Sequence, residues 1–420
     1  MAEALETFWN GRHVGVFVRE GGRVRFRYDE DAPDTPISLS LPRDGSGPKR
    51  AAETFLDNLL PDNQRVRARW AFDTGVAEAP FDLLGRFGED VAGALSLLPK
   101  GHMPARDTSV IAFASDDEIA SRIASIHRDP DAWLSADQLG RARMSLAGAQ
   151  GKFSLAQIGD RWAWSNVAVP STHIFKPEHP WLTGSIEFEH GGQVLASQIG
   201  VAAAESTTIS FRGQRAYASK RFDRGQSSIG VWRLHMEDMV QALGWPPSRK
   251  YEVAALQVIR LLKNRVSPDA PYDFLRQLAF NVAIGNADGH GKNYSVMLDD
   301  VPRMAPLYDA VPTYVWPQLD RKLAMSIGGA KYAQEVQEAH WVKLARQTGL
   351  DEHRAMAEVA SVYDGVREQA HDVFRQAGVE AGSSGLRRID EIVAATTSKV
   401  RSSRPQTVIV EESRNQPSPA

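Results

Sequence analysis

The sequence predicts an α+β protein of two lobes with a small α+β unit ahead of them. Three observations carry this. Short β-rich runs dominate residues 7 to 41 and again 153 to 222, whereas helical periodicity dominates from Val231 onward. Between the two β-rich zones lies a polar, Pro- and Asp-rich stretch at 101–140 that reads as a boundary. At 420 residues the chain is long enough for two or three such units. The expected divisions are 1–100, 101–230, 231–401 and a Ser/Pro/Arg-rich tail at 402–420 expected to be disordered.

The first unit begins with runs at Thr7–Trp9, Val14–Val18 and Val24–Tyr28, separated by Asn10-Gly11 and Gly21-Gly22, dipeptides suited to two-residue hairpin turns. Ile37–Leu41 reads as a fourth strand stopped by Pro42. Helices follow at 51–60, where Phe55, Leu56, Leu59 and Leu60 share a face, and at 81–87. In the second unit a helix at 118–126 precedes the small-residue loop Ser145–Lys152, strands at 153–157 and 162–164, and an apolar strand, His173–Pro177, that ends on Lys176. A helix over 186–199 follows, weakened by about 2 kcal/mol by its Gly191-Gly192 pair. Strands at 206–211 and 215–222 complete the lobe. The last unit reads as helices at 236–242, 254–263 and 271–284, a hairpin at 294–308, and amphipathic helices at 335–350, 353–377 and 386–401.

Composition excludes several classes. The chain has no cysteine, so disulfides and thiolate metal sites are out. It has no 18-residue apolar run and no basic-then-apolar leader, so neither a membrane span nor a signal peptide is expected, and a cytoplasmic location is. A formal charge of −3 gives no overall attraction to nucleic acid.

The chemistry concentrates in Asn286-Ala-Asp-Gly-His-Gly-Lys-Asn293, delivered by the apolar helix at 271–284. Asp288 and Asn293 stand five apart, the spacing at which a kinase catalytic loop places a hydroxyl-proton acceptor and a metal-binding amide. The hairpin after the loop returns to Asp309, a second acid suited to Mg2+. Upstream, Lys176 occupies a strand position suited to nucleotide phosphates, with Glu187 and Glu189 as alternative ion-pair partners. Each residue alone reads as an ordinary solvated side chain. Together they point to phosphoryl transfer in a protein-kinase-like fold, with Asp288 as catalytic base and Asn293 and Asp309 as metal ligands. His290 competes for the base role. A zinc site from His290, Asp288 and Asp309 lacks the paired-histidine spacing such sites use.

These motifs, with Ser38-Leu-Ser-Leu-Pro42, Phe55-Leu-Asp-Asn-Leu-Leu-Pro61, Gly88-Glu-Asp-Val-Ala-Gly-Ala94, Arg221-Phe-Asp-Arg224, Lys250-Tyr-Glu252 and Leu307-Tyr-Asp309, resemble the HipA-family serine/threonine-protein kinases, toxins of type II toxin–antitoxin modules. The resemblance spans most of residues 8–400. It implies that Ala147, Gly148, Ala149, Gln150, Gly151 and Lys152 form a nucleotide-phosphate loop, and that Ser145 is an autophosphorylated off-switch. It places Lys220, Arg221 and Phe222 at the adenine hinge and Asp223 near the ribose. Lys176, His290, Gly291, Lys292, Asn293, Tyr308 and Asp309 complete an ATP and Mg2+ site. It further implies a small helix-turn-helix antitoxin (HipB-like), operator DNA bound only through that complex, no membrane, and an aminoacyl-tRNA synthetase as phosphorylated target. The sequence departs from the family pattern at Lys220, where glutamate is usual, at Phe188, where asparagine is usual, and at Gly151, where a larger residue is usual. A co-repressor with incidental kinase activity and a lipid or small-molecule kinase are the alternatives.

Overall fold

A computed structural model gives the structure of the protein and describes residues 3–104, 111–132, 148, 150–166, 168–227, 230–299 and 301–400. Ser145, Ala147, Ala149 and the tail at 402–420 lie outside the described residues.

The first sheet is antiparallel in the order β3-β2-β1-β4, from β1 (Glu3–Trp9), β2 (Arg12–Glu20), β3 (Arg23–Tyr28) and β4 (Leu95–Pro99). Asn10 and Gly11, and Gly21 and Gly22, all have positive φ, the geometry of the predicted tight turns. Helices α1 (Ala51–Asn58), α2 (Gln64–Thr74) and α3 (Pro80–Phe87) pack on this sheet around Phe17, Phe55, Trp70 and Phe87. Helix α2 escapes the sequence reading because only Val66, Trp70 and Ala71 of its apolar residues are buried.

The fourth strand expected at 37–41 does not form. Ile37, Ser38, Leu39 and Ser40 are all buried, so the alternation does not mark a wet and a dry face. Their backbone is satisfied in part locally, by Tyr28 and Ser38, and in part by the distant helical lobe. Leu39 N–H donates to Glu237 Oε1 at 2.7 Å, and His235 Nε2 meets the Ile37 carbonyl at 2.8 Å.

The second sheet is antiparallel and six-stranded, in the order β5-β7-β6-β8-β10-β9. Its strands are β5 (Phe113–Ala114), β6 (Phe153–Ile158), β7 (Arg161–Trp164), β8 (His173–Pro177), β9 (Ser206–Phe211) and β10 (Gln214–Lys220). Helix α4 (Asp116–Arg128) starts with a Ser115/Glu118 capping box and buries Ile119, Ile123 and Ile126 against Phe153, Phe175 and Phe211. Helix α5 (Ser185–Gln198) connects β8 to β9.

The Gly191-Gly192 pair in α5 has a packing reason. A Cβ on Gly192 would lie 2.0 Å from the Ala310 carbonyl, and one on Gly191 2.5 Å from the Phe374 ring. The helix therefore needs glycine there to press against the segment that carries Asp309, and the propensity cost is the condition of that approach.

A hairpin of β11 (Arg224–Ser227) and β12 (Gly230–Arg233) leads into the third unit. The helix expected at 236–242 begins late. Met236–Asp238 is β13, which pairs with β14 (Ser295–Met297), itself paired with β15 (Arg303–Met304). Asp238 then caps the short α6 (Met239–Ala242), accepting from Val240 and Gln241 N–H. The bulk of this lobe is helical: α7 (Ala255–Arg265), α8 (Ala270–Ala283), α9 (Glu338–Thr348), α10 (Glu352–Gln376) and α11 (Ser384–Thr397). It also holds a hairpin, β16 (Lys322–Ile327) and β17 (Ala330–Tyr332), that periodicity did not reveal. Helix α8 is buried on nearly every face, the central rod on which α10 and α11 pack.

Candidate functional site

Between the six-stranded sheet and the helical lobe lies a cleft of about 880 Å³. It is lined from one side by β8, α5, β10 and the hinge at 220–223, and from the other by residues 286–293, 308–313 and 316–324.

The loop leaves α8 through Gly285 (φ 71°), and its shape is set by Asn286. The Asn286 amide donates to Asn281 Oδ1 at 2.9 Å and to the Asp309 carbonyl at 3.3 Å, while its oxygen accepts from Asp288 N–H at 3.0 Å. One buried amide thus ties the loop, the helix before it and the Asp309 segment together. The sequence reading gave Asn286 no role, since an asparagine in a Gly-rich loop ordinarily marks a turn.

Asp288 opens to the cleft, and its Oδ1 accepts from the Tyr251 hydroxyl at 2.8 Å. Loss of hydration raises its pKa above the ordinary carboxylate value. The Tyr251 hydrogen bond opposes this, and the nearby Asp309 charge adds to it. Tyr251 is itself 54% exposed, with its ring edge-on to His290 at 5.1 Å. The sequence reading named it only within the Lys250-Tyr-Glu252 motif and gave it no role.

Lys176 on β8 lies opposite Tyr217 of β10. Its ammonium donates to Glu189 Oε1 and to Asp309 Oδ1, both at 2.6 Å. The open choice of partner therefore resolves to Glu189, and Glu187 pairs with Arg215 at 2.5 Å. Burial opposes the charge on Lys176, but the two carboxylates win and raise its pKa. Asp309 is held far below the usual carboxylate range by Lys176 and then Lys152 against the cost of burial. Its backbone has φ 59°, a left-handed conformation rare outside glycine, which is backbone strain held in place at the cleft. Asn293 Nδ2 donates to Asp309 Oδ2 at 2.7 Å, and Asn293 Oδ1 accepts from His290 N–H at 3.1 Å. Loss of hydration lowers the His290 pKa to about 4, so the ring is neutral near pH 7, and its buried Nδ1 has no hydrogen-bond partner among the described residues.

Lys152 comes near this group. Burial first, and the Lys176 ammonium second, pull its pKa down to about 8. Its Nζ would lie 2.6 Å from a Cβ on Gly148, whose φ of 107° suits glycine, so the loop backbone folds over the ammonium. Gln150 also faces the cleft, whereas Gly151 packs against Ile126 and Pro130. At the hinge, Lys220 and Phe222 line the cleft, with the Phe222 ring 5.4 Å from that of Tyr308.

Three further residues of the expected site, Arg221, Asp223 and Lys292, line the cleft and also hold protein partners. The Lys292 ammonium is committed to Asn58 Oδ1 at 2.9 Å, the Asn58 carbonyl at 3.1 Å and Asp238 Oδ2 at 2.8 Å, so it locks the N-terminal unit to the loop. Asp223 accepts through Oδ1 from Arg221 and through Oδ2 from Arg221, Arg224 and Gly93 N–H. The Arg221 guanidinium is buried in that same network. The physical reason is shared: the N-terminal unit buries these residues, and a buried charge must find protein partners.

Among the described residues no three His, Cys, Asp or Glu side chains cluster as metal ligands. The Asp309–Asn293 pair fits Mg2+ better, since that ion takes one or two protein oxygens and completes its shell from phosphates and water. A cation there would replace the hydrogen bond between them and take the amide by its oxygen.

A cleft between a β lobe and a helical lobe, with a strand lysine paired to a helix glutamate and a loop acid facing a second acid, defines the protein-kinase-like class of phosphoryl-transfer folds. Within it, the chain belongs to the HipA family: the HipA-like C-terminal domain matches residues 144–370 and the HipA N-terminal domain residues 5–98. It is 35% identical to the Sinorhizobium fredii protein Y4mE, named as a kinase, over 87% of this chain and 90% of that one. It is 31% identical to the serine/threonine-protein kinase toxin HipA of Shewanella oneidensis, over 72% of this chain and 73% of that protein. Among solved structures it resembles HipA in a Shewanella oneidensis complex with HipB and operator DNA, with TM-score 0.79 at 24% identity over 94% of this chain and 97% of that one.

Proposed function

We propose that the protein is an ATP- and Mg2+-dependent protein serine/threonine kinase that acts as the toxin of a toxin–antitoxin pair. The observation that carries this reading is the convergence of Lys176, Glu189, Asp309 and Asn293 in one network beside the open carboxylate of Asp288. Lys176 holds the nucleotide phosphates, and Glu189 fixes the lysine's direction. Asp309 and Asn293 hold the divalent cation, whose charge offsets that of the phosphates. Asp288 accepts the proton of the attacking hydroxyl, and its raised pKa makes it the better proton acceptor. His290, neutral and with an unpartnered Nδ1, is placed to accept a hydrogen bond or ligate rather than to carry charge.

The target, on this reading, is an aminoacyl-tRNA synthetase, whose phosphorylation slows translation and induces dormancy. Phosphate on Ser145 is the off-switch. A small helix-turn-helix protein (HipB-like) is the antitoxin, and operator DNA is met only through it, in keeping with the net charge of −3. The protein works in the cytoplasm, and no helix among the described residues is long and apolar enough to cross a membrane.

Incubation with labelled ATP, Mg2+ and a cell lysate tests the reading. Label should appear on Ser145 and on a synthetase. Asp288→Ala should lower transfer about 10²- to 10⁴-fold with the fold retained. Full transfer by that variant would sink the assignment.

A further inference from the structure

The cleft has a second part to its wall that the nucleotide reading does not use. Leu182 follows β8, and Val311, Trp316, Leu319 and Leu323 follow Asp309. None of them belongs to the hinge. Two contacts place this wall beside Asp288 and keep both lobes in it. The Ala324 N–H donates to the carbonyl of Ala287, the residue before Asp288, at 2.9 Å. Trp316 Nε1–H donates to the Thr183 carbonyl at 3.1 Å, so the helical lobe's tryptophan is pinned to the sheet lobe's loop. The Tyr251 segment packs near β16, the strand that carries Leu323 and Ala324. Beyond the wall Trp181 is 74% exposed, and its carbonyl accepts from Gln318 Nε2 at 3.3 Å. His179, Asp320 and Lys322 also line the cleft.

We infer that Leu182, Val311, Trp316, Leu319 and Leu323 form a specificity subsite that takes an apolar side chain of the protein substrate, within a few residues of the acceptor serine or threonine. The inference rests on the kinase reading above. The occupant follows from continuity: the acceptor hydroxyl must reach Asp288, and the chain on one side of it must then cross this apolar wall. The Tyr251 hydroxyl on Asp288 marks the place the acceptor hydroxyl takes. An apolar wall desolvates an aliphatic or aromatic side chain at a gain, and an acidic or amide one only at a cost, which sets the preference.

A position-scanning library of serine and threonine peptides, phosphorylated by the wild-type protein and by Leu319→Glu and Leu319→Met, tests this. Leu319 is only partly buried on a surface loop, so both variants should fold. Wild type should favour Leu, Ile, Met or Phe over Asp or Gly at one flanking position by about tenfold or more in kcat/KM. Leu319→Glu should abolish that preference and raise the KM for the apolar peptide about tenfold with the KM for ATP unchanged, and Leu319→Met should keep wild-type behaviour. Equal transfer to apolar and acidic flanks overturns the inference alone, as does a Leu319→Glu effect confined to ATP. Transfer by the wild type to no peptide or protein hydroxyl at all overturns the kinase reading, and the subsite with it.

Discussion

Two buried charge clusters in this protein use the same kinds of residue for opposite purposes. At the seam between the N-terminal unit and the hinge, Asp90 and Asp223 face Arg221, Arg224 and Arg233. Asp90 accepts from Arg224 at 2.8 Å through one oxygen and from the Ser171 hydroxyl and N–H through the other. Every oxygen of both aspartates is engaged by protein. The guanidinium groups hold Asp90 near pKa 2 despite complete burial. In the cleft, Lys176, Glu189, Asp309 and Asn293 are also tightly bonded, yet Asp309 is partly open, and among the described residues Asp288 has one protein donor and His290 Nδ1 has none. Perturbed pKa values mark both places. What separates a clasp from a candidate site is whether hydrogen-bonding capacity is left over and faces an opening.

That contrast can be broken most directly at Asp90. Asp90→Ala leaves three arginines against one aspartate in a dry seam, and should cost about 3–5 kcal/mol of stability by chemical denaturation. A loss under 1 kcal/mol would show that the seam is not the clasp described. The matching change in the cleft, Asp309→Asn, leaves Glu189 to balance the Lys176 ammonium and should cost less stability than Asp90→Ala. It should instead lower phosphoryl transfer about 10²- to 10³-fold. It should also remove the stabilisation that saturating ATP–Mg2+ gives the wild type, about 2.7 kcal/mol at a hundred times Kd. A destabilised but active Asp309→Asn would reverse the assignment of the two clusters.

Glu237 sharpens the comparison as a buried acid with no cation in contact. Its Oε1 accepts from Leu39 N–H, and burial outweighs the hydrogen bonds from Ser38 and Leu39 and pushes its pKa from 4.5 up to about 8. It therefore keeps its proton when folded and loses it when unfolded, so stability falls as pH rises from about 4.5 to about 8, by at most about 1.4 kcal/mol per pH unit. Glu237→Gln should flatten that slope, and an unchanged slope would refute its origin. The smallest effect is expected at Tyr251. The acid limb of the kcat/KM profile should lie above the ordinary carboxylate range, because Asp288 must be ionised to accept a proton. Tyr251→Phe removes the hydrogen bond that favours the carboxylate, so the limb should move to higher pH by a fraction of a unit to about one unit.

By itself the sequence determined the order of elements and the chemistry-bearing positions, because both are local signals. The strand lysine, the five-residue spacing from Asp288 to Asn293, and the hairpin returning to Asp309 are all readable as pattern. Hairpin turns at Asn10-Gly11 and Gly21-Gly22 follow from backbone freedom alone. The tertiary structure decided what those charges are spent on. Glu189 rather than Glu187 meets Lys176 because two glycines let α5 press against Ala310. Lys292, Arg221 and Asp223 line the cleft, and their hydrogen bonds to Asn58, Val91 and Gly93 also tie it to the N-terminal unit. Ile37–Leu41 alternates like a strand but is spent on Glu237 and His235, some 200 residues away in the chain. A residue's type and spacing are local, whereas its last hydrogen-bond partner is chosen among groups brought together only by folding.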